Sequence, residues 1–144
     1  MKPAQFIKSL DHPRIEAAIA AAEATTSGEI RVMVYQKPID DAVSFAEKEF
    51  LRLGMQKTRE HNAVFFFVAP ASQSFAIIGD EGVHQKCGNA FWSELAATMQ
   101  SGFRREDYTG ALLEGIERAG GLLAQHFPRR PDDTNELPNR VLEQ

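Results

Sequence analysis

Cysteine is almost missing from this chain of 144 residues: Cys87 stands alone, so no internal disulfide can form. A basic excess is missing too. Sixteen Lys and Arg stand against twenty Asp and Glu, a formal charge of −4, whereas a nucleic-acid face needs clustered cations. Arg104-Arg105 and Arg129-Arg130 are isolated pairs that read as solvated charge, so no nucleic-acid partner is expected. No apolar run approaches the roughly 18 residues of a membrane-spanning helix. The opening MKPAQFIKSLDHPR has neither the apolar core nor the cleavage site of a signal peptide. The chain therefore reads as soluble and cytoplasmic, without direct membrane insertion. The familiar catalytic frames are absent as well. There is no glycine-rich phosphate loop and no GxSxG elbow. His84 and Cys87 offer only two soft ligands, and His61 and His126 have no matching spacing for zinc.

What is present is a pair of short apolar runs. Ala63-Val64-Phe65-Phe66-Phe67-Val68 is too short for a helix and apolar on both faces. Ala69 to Ser74 supplies turn residues, and Phe75-Ala76-Ile77-Ile78 follows, stopped by Gly79-Asp80-Glu81-Gly82. This predicts two adjacent antiparallel strands, with helices covering both faces of the first. Glu29 to Tyr35 alternates Ile30, Val32 and Val34 against Arg31, Met33 and Tyr35, which predicts a less deeply buried strand. A helix starting at Asp40 or Asp41 and running to about Glu60, striped by Val43, Ala46, Phe50 and Leu53, links these strands as one βαβ unit. Further helices are predicted over Pro3–Leu10, from Asp11 or His12 to Thr26, briefly around His84–Lys86, over Asn89–Phe103, and over Thr109–Phe127. In the last of these Gly120 falls on the apolar stripe, as close packing on the sheet would require. The expected fold is a three-layer α/β/α sandwich around a small mixed sheet. Residues 1–127 form a single domain, and 128–144 form a polar, proline-containing tail that is extended or frayed.

This topology places a site. The starts of two parallel strands and the end of the returning strand share one edge, so Glu29, Asn62, Asp80 and Glu81 converge there. Oxygen ligands of this kind suit a hard cation, Ca²⁺ or Mg²⁺. The same residues also have plain structural uses: Asp80 or Glu81 as a helix cap, and Glu29 in solvent.

At these residues the chain resembles the TPM domain family. Thr26-Ser27-Gly28-Glu29-Ile30-Arg31-Val32 resembles its first-strand entry. Asn62-Ala63-Val64 resembles its Asn-Gly-Val strand, with Ala63 in place of glycine. Ile78-Gly79-Asp80-Glu81-Gly82 resembles its Thr-Gly-x-Gly segment, with Ile78 in place of threonine. Tyr108-Thr109-Gly110 and Gly115-Ile116 resemble its last helix. The resemblance implies an α/β/α sandwich and divalent-cation binding by acidic loops. It also implies one of two roles: an accessory module for protein assembly or maintenance, with a protein partner in a membrane-associated complex, or a metal-assisted acid phosphatase acting on phosphate esters. A metal-free interaction domain fits the residues equally.

Overall fold

The computed structural model describes residues 3–131 and 136–144. Residues 132–135 of the expected tail lie outside the described residues.

The two apolar runs form strands, and their directions are those the turn chemistry requires. Strand β1 (Glu29–Val34) pairs in parallel with β2 (Ala63–Ala69), Glu29 opposite Ala63 and Val34 opposite Val68. Strand β3 (Ser74–Gly79) returns antiparallel along β2, with Val64 opposite Gly79. Pro70–Ser72 makes a single 3₁₀ turn between them, and Gln73 closes it at φ 49°. The Ser72 hydroxyl pins this turn to Ile39, accepting from its N–H at 2.8 Å and donating to its carbonyl at 3.1 Å.

Helices α1 (Pro3–Ser9), α2 (His12–Glu23), α4 (Glu81–Cys87), α5 (Ala90–Arg104) and α6 (Tyr108–His126) surround a core on one face of the sheet. There Ile30, Val32, Val34, Val64, Phe66 and Val68 meet Ile15, Ile19, Leu112 and Ile116. Helix α3 (Ala42–Arg52) covers the other face, where Ala46 and Phe50 pack with Met33, Phe65 and Phe67. Each side chain of the Phe65-Phe66-Phe67 run is fully buried. Burial at that level contributes roughly 1.5–3 kcal/mol per side chain, and the alternating directions of the run feed both cores.

Four features depart from the sequence reading. Strand β1 is buried along its whole length, Arg31 included, because β2 pairs with all of it, β4 adds to its last two residues, and both faces are covered. Its alternation reports which core each side chain joins, not exposure. Helix α3 stops at Arg52, since Gly54 takes φ 73° and a 3₁₀ turn at Met55–Lys57 follows. Within α3, Val43 is exposed, while Glu49 is buried and held by Arg52 at 2.7 and 2.9 Å. The end of the chain is ordered structure: Leu142–Glu143 forms β4, parallel to β1 with Met33 opposite Leu142, giving the sheet order β3-β2-β1-β4. Gln144 continues the pairing, its N–H donating to the Val34 carbonyl at 2.9 Å. Among the described residues, no helix is long and apolar enough to cross a membrane.

Gly120 is needed for close approach, but against α2 rather than the sheet. A Cβ there would lie 2.7 Å from the Ala22 Cβ, whereas one on the neighbouring Gly121 would meet nothing within 4 Å. Gly120→Ala is therefore expected to lower stability by about 1–2 kcal/mol through overpacking. Gly121→Ala should raise it by up to about 1 kcal/mol through helix propensity. Paired thermal melts check this, and equal shifts of one sign would contradict the α2–α6 contact.

Candidate functional site

Ala63, the first residue of β2, lies between the two acidic groups that the topology brings to this rim. Glu29 is its partner in β1, and on the other side the Asp80 N–H donates to the Ala63 carbonyl at 2.9 Å. Two strand spacings separate Glu29 from Asp80, about 10 Å between backbones. Asn62 and Glu81 are the chain neighbours of Ala63 and Asp80. The four residues thus share one sheet edge, with different surroundings.

Asp80 caps α4, its Oδ1 accepting from the Glu81 N–H at 2.8 Å. Its Oδ2 is buried, with His61 Nδ1 3.5 Å away at the limit of an ion pair. Glu81 opens the helix and is exposed. Gly82 must be glycine here, because a Cβ would sit 2.5 Å from the Glu60 carbonyl and 2.6 Å from that of His61. Asn62 is fully buried. Its N–H donates to Thr58 Oγ1 at 3.3 Å and its Nδ2 to Ser27 Oγ at 3.0 Å, while its Oδ1 has no hydrogen-bond partner. The Ser27 hydroxyl in turn donates to Glu60, whose other oxygen takes Arg130 at 2.9 Å. Ile78, which stands in place of the family's threonine, packs beside the α3 core and brings no hydroxyl to this edge.

Glu29 is 2% exposed, not in solvent. One oxygen, Oε1, accepts from the Glu136 N–H. The other, Oε2, accepts from no N–H, and the neighbouring carboxyl that hydrogen-bonds to Glu29 is Glu23, at the end of α2. Glu23 is also buried, and its Oε2 accepts from the Ile30 N–H at 2.9 Å. Two such carboxyls hold together only if one keeps a proton. Burial raises the Glu23 pKa to about 9, reinforced by the hydrogen bond and negative charge of Glu29 and opposed by the Ile30 N–H and Arg129. Burial also raises Glu29, against the hydrogen bonds it receives from Glu23 and from the backbone of Glu136 and Leu137. The sequence did carry a signal for Glu23: it continues the Ile15, Ile19 spacing by one further turn, a carboxylate where the buried stripe expects an apolar side chain.

The tail lies over this network. Thr26 bridges to Pro128, Arg129 donates to the Glu23 carbonyl at 3.0 Å, and the Arg59 N–H donates to the Glu136 carboxylate at 3.2 Å. Elsewhere, burial pushes the Cys87 thiol up, with Lys86 pulling the other way, which leaves it a poor nucleophile. Among the described residues no three His, Cys, Asp or Glu side chains gather around one point where a metal ion could sit.

The family model of the TPM domain matches residues 1–122. The chain belongs to the TPM domain family. The BA42 protein from the psychrophilic bacterium Bizionia argentinensis, solved by NMR, is similar at 34% identity and TM-score 0.86, over 94% of this chain and 96% of that one. Two more distant solved structures share the fold. The N-terminal domain of the cg2496 protein from Corynebacterium glutamicum has 19% identity and TM-score 0.59, over 92% of this chain and 77% of that one. The N-terminal domain of a protein from P. gingivalis has 15% identity and TM-score 0.58, over 82% and 76%. No curated protein gives a significant match. In this TPM domain the fourth strand, β4, lies beyond the residues the family model matches.

The carboxyl pair sets a pH dependence. The folded-state pKa of Glu23 lies above its ordinary 4.5, so the folded form holds the proton more tightly. Its stabilising effect is full below about pH 4.5 and is lost as the pH rises toward 9. Glu23→Gln keeps both hydrogen bonds and removes the titration. Urea unfolding at pH 5 and pH 8.5 is expected to show the wild type losing about 4 kcal/mol more than the variant across that interval. Parallel profiles would contradict a shared proton.

Proposed function

We propose that this TPM domain is a non-catalytic accessory module for protein assembly or maintenance, which binds a divalent cation weakly at the polar rim of its sheet. The supporting observation is the set of buried oxygens at that rim that accept from no backbone or amide N–H: Glu29 Oε2 beside Glu23, Asn62 Oδ1, and Asp80 Oδ2 with His61 at 3.5 Å. All are hard acceptors of the kind Ca²⁺ and Mg²⁺ take. The fit is right in kind and short in number, with two carboxylates and one amide, so water would complete the shell and affinity would be low. Glu29, Asn62 and Asp80 would hold the ion, and exposed Glu81 adds negative charge at the approach. A bound cation would supply positive charge beside the Glu23–Glu29 pair and favour release of the proton the two share. Because the ion competes with the proton those carboxyls share, binding should strengthen as pH rises.

The test is thermal unfolding with Ca²⁺ titrated to 10 mM at pH 7.5. A tenfold excess over Kd stabilises by about 1.4 kcal/mol, a rise of about 3–6 °C for a chain of this size. Asp80→Asn keeps the helix cap and removes the charge, so its shift should be less than half. A flat titration in the wild type, or an undiminished one in the variant, would remove the cation from this rim. Hydrolysis of p-nitrophenyl phosphate by the wild type, lost in Asp80→Asn, would replace the accessory reading with a phosphatase.

A further inference from the structure

Strand β3 is the last strand on its side of the sheet. The Asp80–Ala63 hydrogen bond fixes the phase of the β2–β3 ladder. In antiparallel pairing the bonded residues recur at every second position, so Ile78, Ala76 and Ser74 face β2. The N–H and C=O groups of Phe75, Ile77 and Gly79 then point away, to the open side. Exposed edges are normally blunted by lysine, proline or another charge. Ser-Phe-Ala-Ile-Ile-Gly has none of these.

Two further features flank this edge, one on each face of the sheet. On the α3 face, Val43 and Leu51 are the exposed large hydrophobics among the described residues, at 51% and 59%. Phe45 and Arg52 of the same helix turn toward β1 and β4, the Phe45 ring lying tilted against Tyr35 at 4.5 Å and Arg52 reaching Gln144 at 2.8 Å. At 100° per residue Val43 and Glu47 lie on the opposite flank, beside β3, with Leu51 at its outer margin. On the other face a cleft of about 620 Å³ opens at the start of β3, where Ser74 and Phe75 form part of its wall. Phe6, Phe103 and Tyr108 line it with Phe75. Their rings are mutually packed, Phe75 to Phe103 at 5.1 Å and Phe6 to Tyr108 at 4.6 Å. Arg104 and Glu106 also line it, and Glu106 and Gln73 are held at positive φ on either side.

We propose that the open edge of β3 docks an extended segment of a partner protein, which adds a strand there, seats a large apolar side chain in the aromatic cleft, and brings a basic residue to Glu47. Main-chain pairing supplies the affinity and alternate side chains the selectivity, because successive residues of the added strand face the cleft and the Val43–Leu51 stripe in turn. A second copy fits less well. Two-fold pairing of β3 would set the stripe against itself, with Glu47 near its own image in a chain of net charge −4. This surface gives the accessory role a place of contact. It lies along the sheet edge, needs no metal, and stands or falls separately from the cation.

The experiment titrates the ¹⁵N-labelled full chain with an acetylated, amidated octapeptide of alternating valine and threonine that carries one phenylalanine and a lysine at each end. Expected are shifted and exchange-protected amides at Phe75, Ile77 and Gly79, with shifts in the Phe103 and Tyr108 rings. N-methylation of alternate peptide amides should weaken binding about tenfold or more, through the lost backbone hydrogen bonds. Leu51→Glu, on the exposed flank, should weaken it severalfold with the fold intact. No shift at millimolar peptide, or binding indifferent to N-methylation, would overturn the proposal. Protection of the same amides that grows with protein concentration and needs no peptide would overturn it in favour of self-pairing.

Discussion

Two carboxyl groups buried side by side at the entry to the central strand constrain much of this molecule. Glu23 ends α2, Glu29 begins β1, and neither is exposed. Both cannot be charged when buried side by side, so one proton has to stay. That proton ties the helix layer to the sheet, and Glu29 then accepts from the backbone of Glu136, which ties the tail to both. The tail continues past Val141, which is buried, to add β4 beside β1. An acidic pair that would be unfavourable in isolation therefore sits where three chain segments meet. The pair is also what would make a cation at this rim sensitive to pH.

The two edges of the sheet are treated differently. The C-terminal end of the β1 edge is closed by the chain itself through β4, and Arg52 and Gln36 hold Gln144 in place. The β3 edge is left without charge, with apolar side chains on one flank and an aromatic cleft on the other. This asymmetry is the basis of the proposed docking at β3, which runs up to the polar rim at Gly79.

The strand directions were legible because Ala63–Val68 and Phe75–Ile78 are too short and too apolar to be anything but neighbouring strands, and turn residues separate them. Those directions alone bring Glu29, Asn62 and Asp80 around Ala63. The surroundings of those residues were not legible. Glu23 escaped notice because a stripe is read from its apolar members, and the carboxylate one turn beyond Ile19 breaks the pattern it belongs to. The pairing of Leu142 and Glu143 escaped for another reason. Two residues have no period, and their place beside Met33 and Val34 depends on a long-range path that composition does not encode. Helix α3 was expected to run on because the polar stretch after Leu53 remains compatible with a helix, but Gly54, a glycine just past the last turn, takes the left-handed angle that ends it.

The carboxyl carbons of Glu23 and Glu29 report on the shared proton most directly. With the side chains ¹³C-labelled, a titration from pH 3 to pH 10 should find Glu23 still protonated at neutral pH and losing its proton near 9. A Glu23 signal that titrates alone between pH 4 and 5, in the range of an exposed glutamate, would contradict the account at its centre.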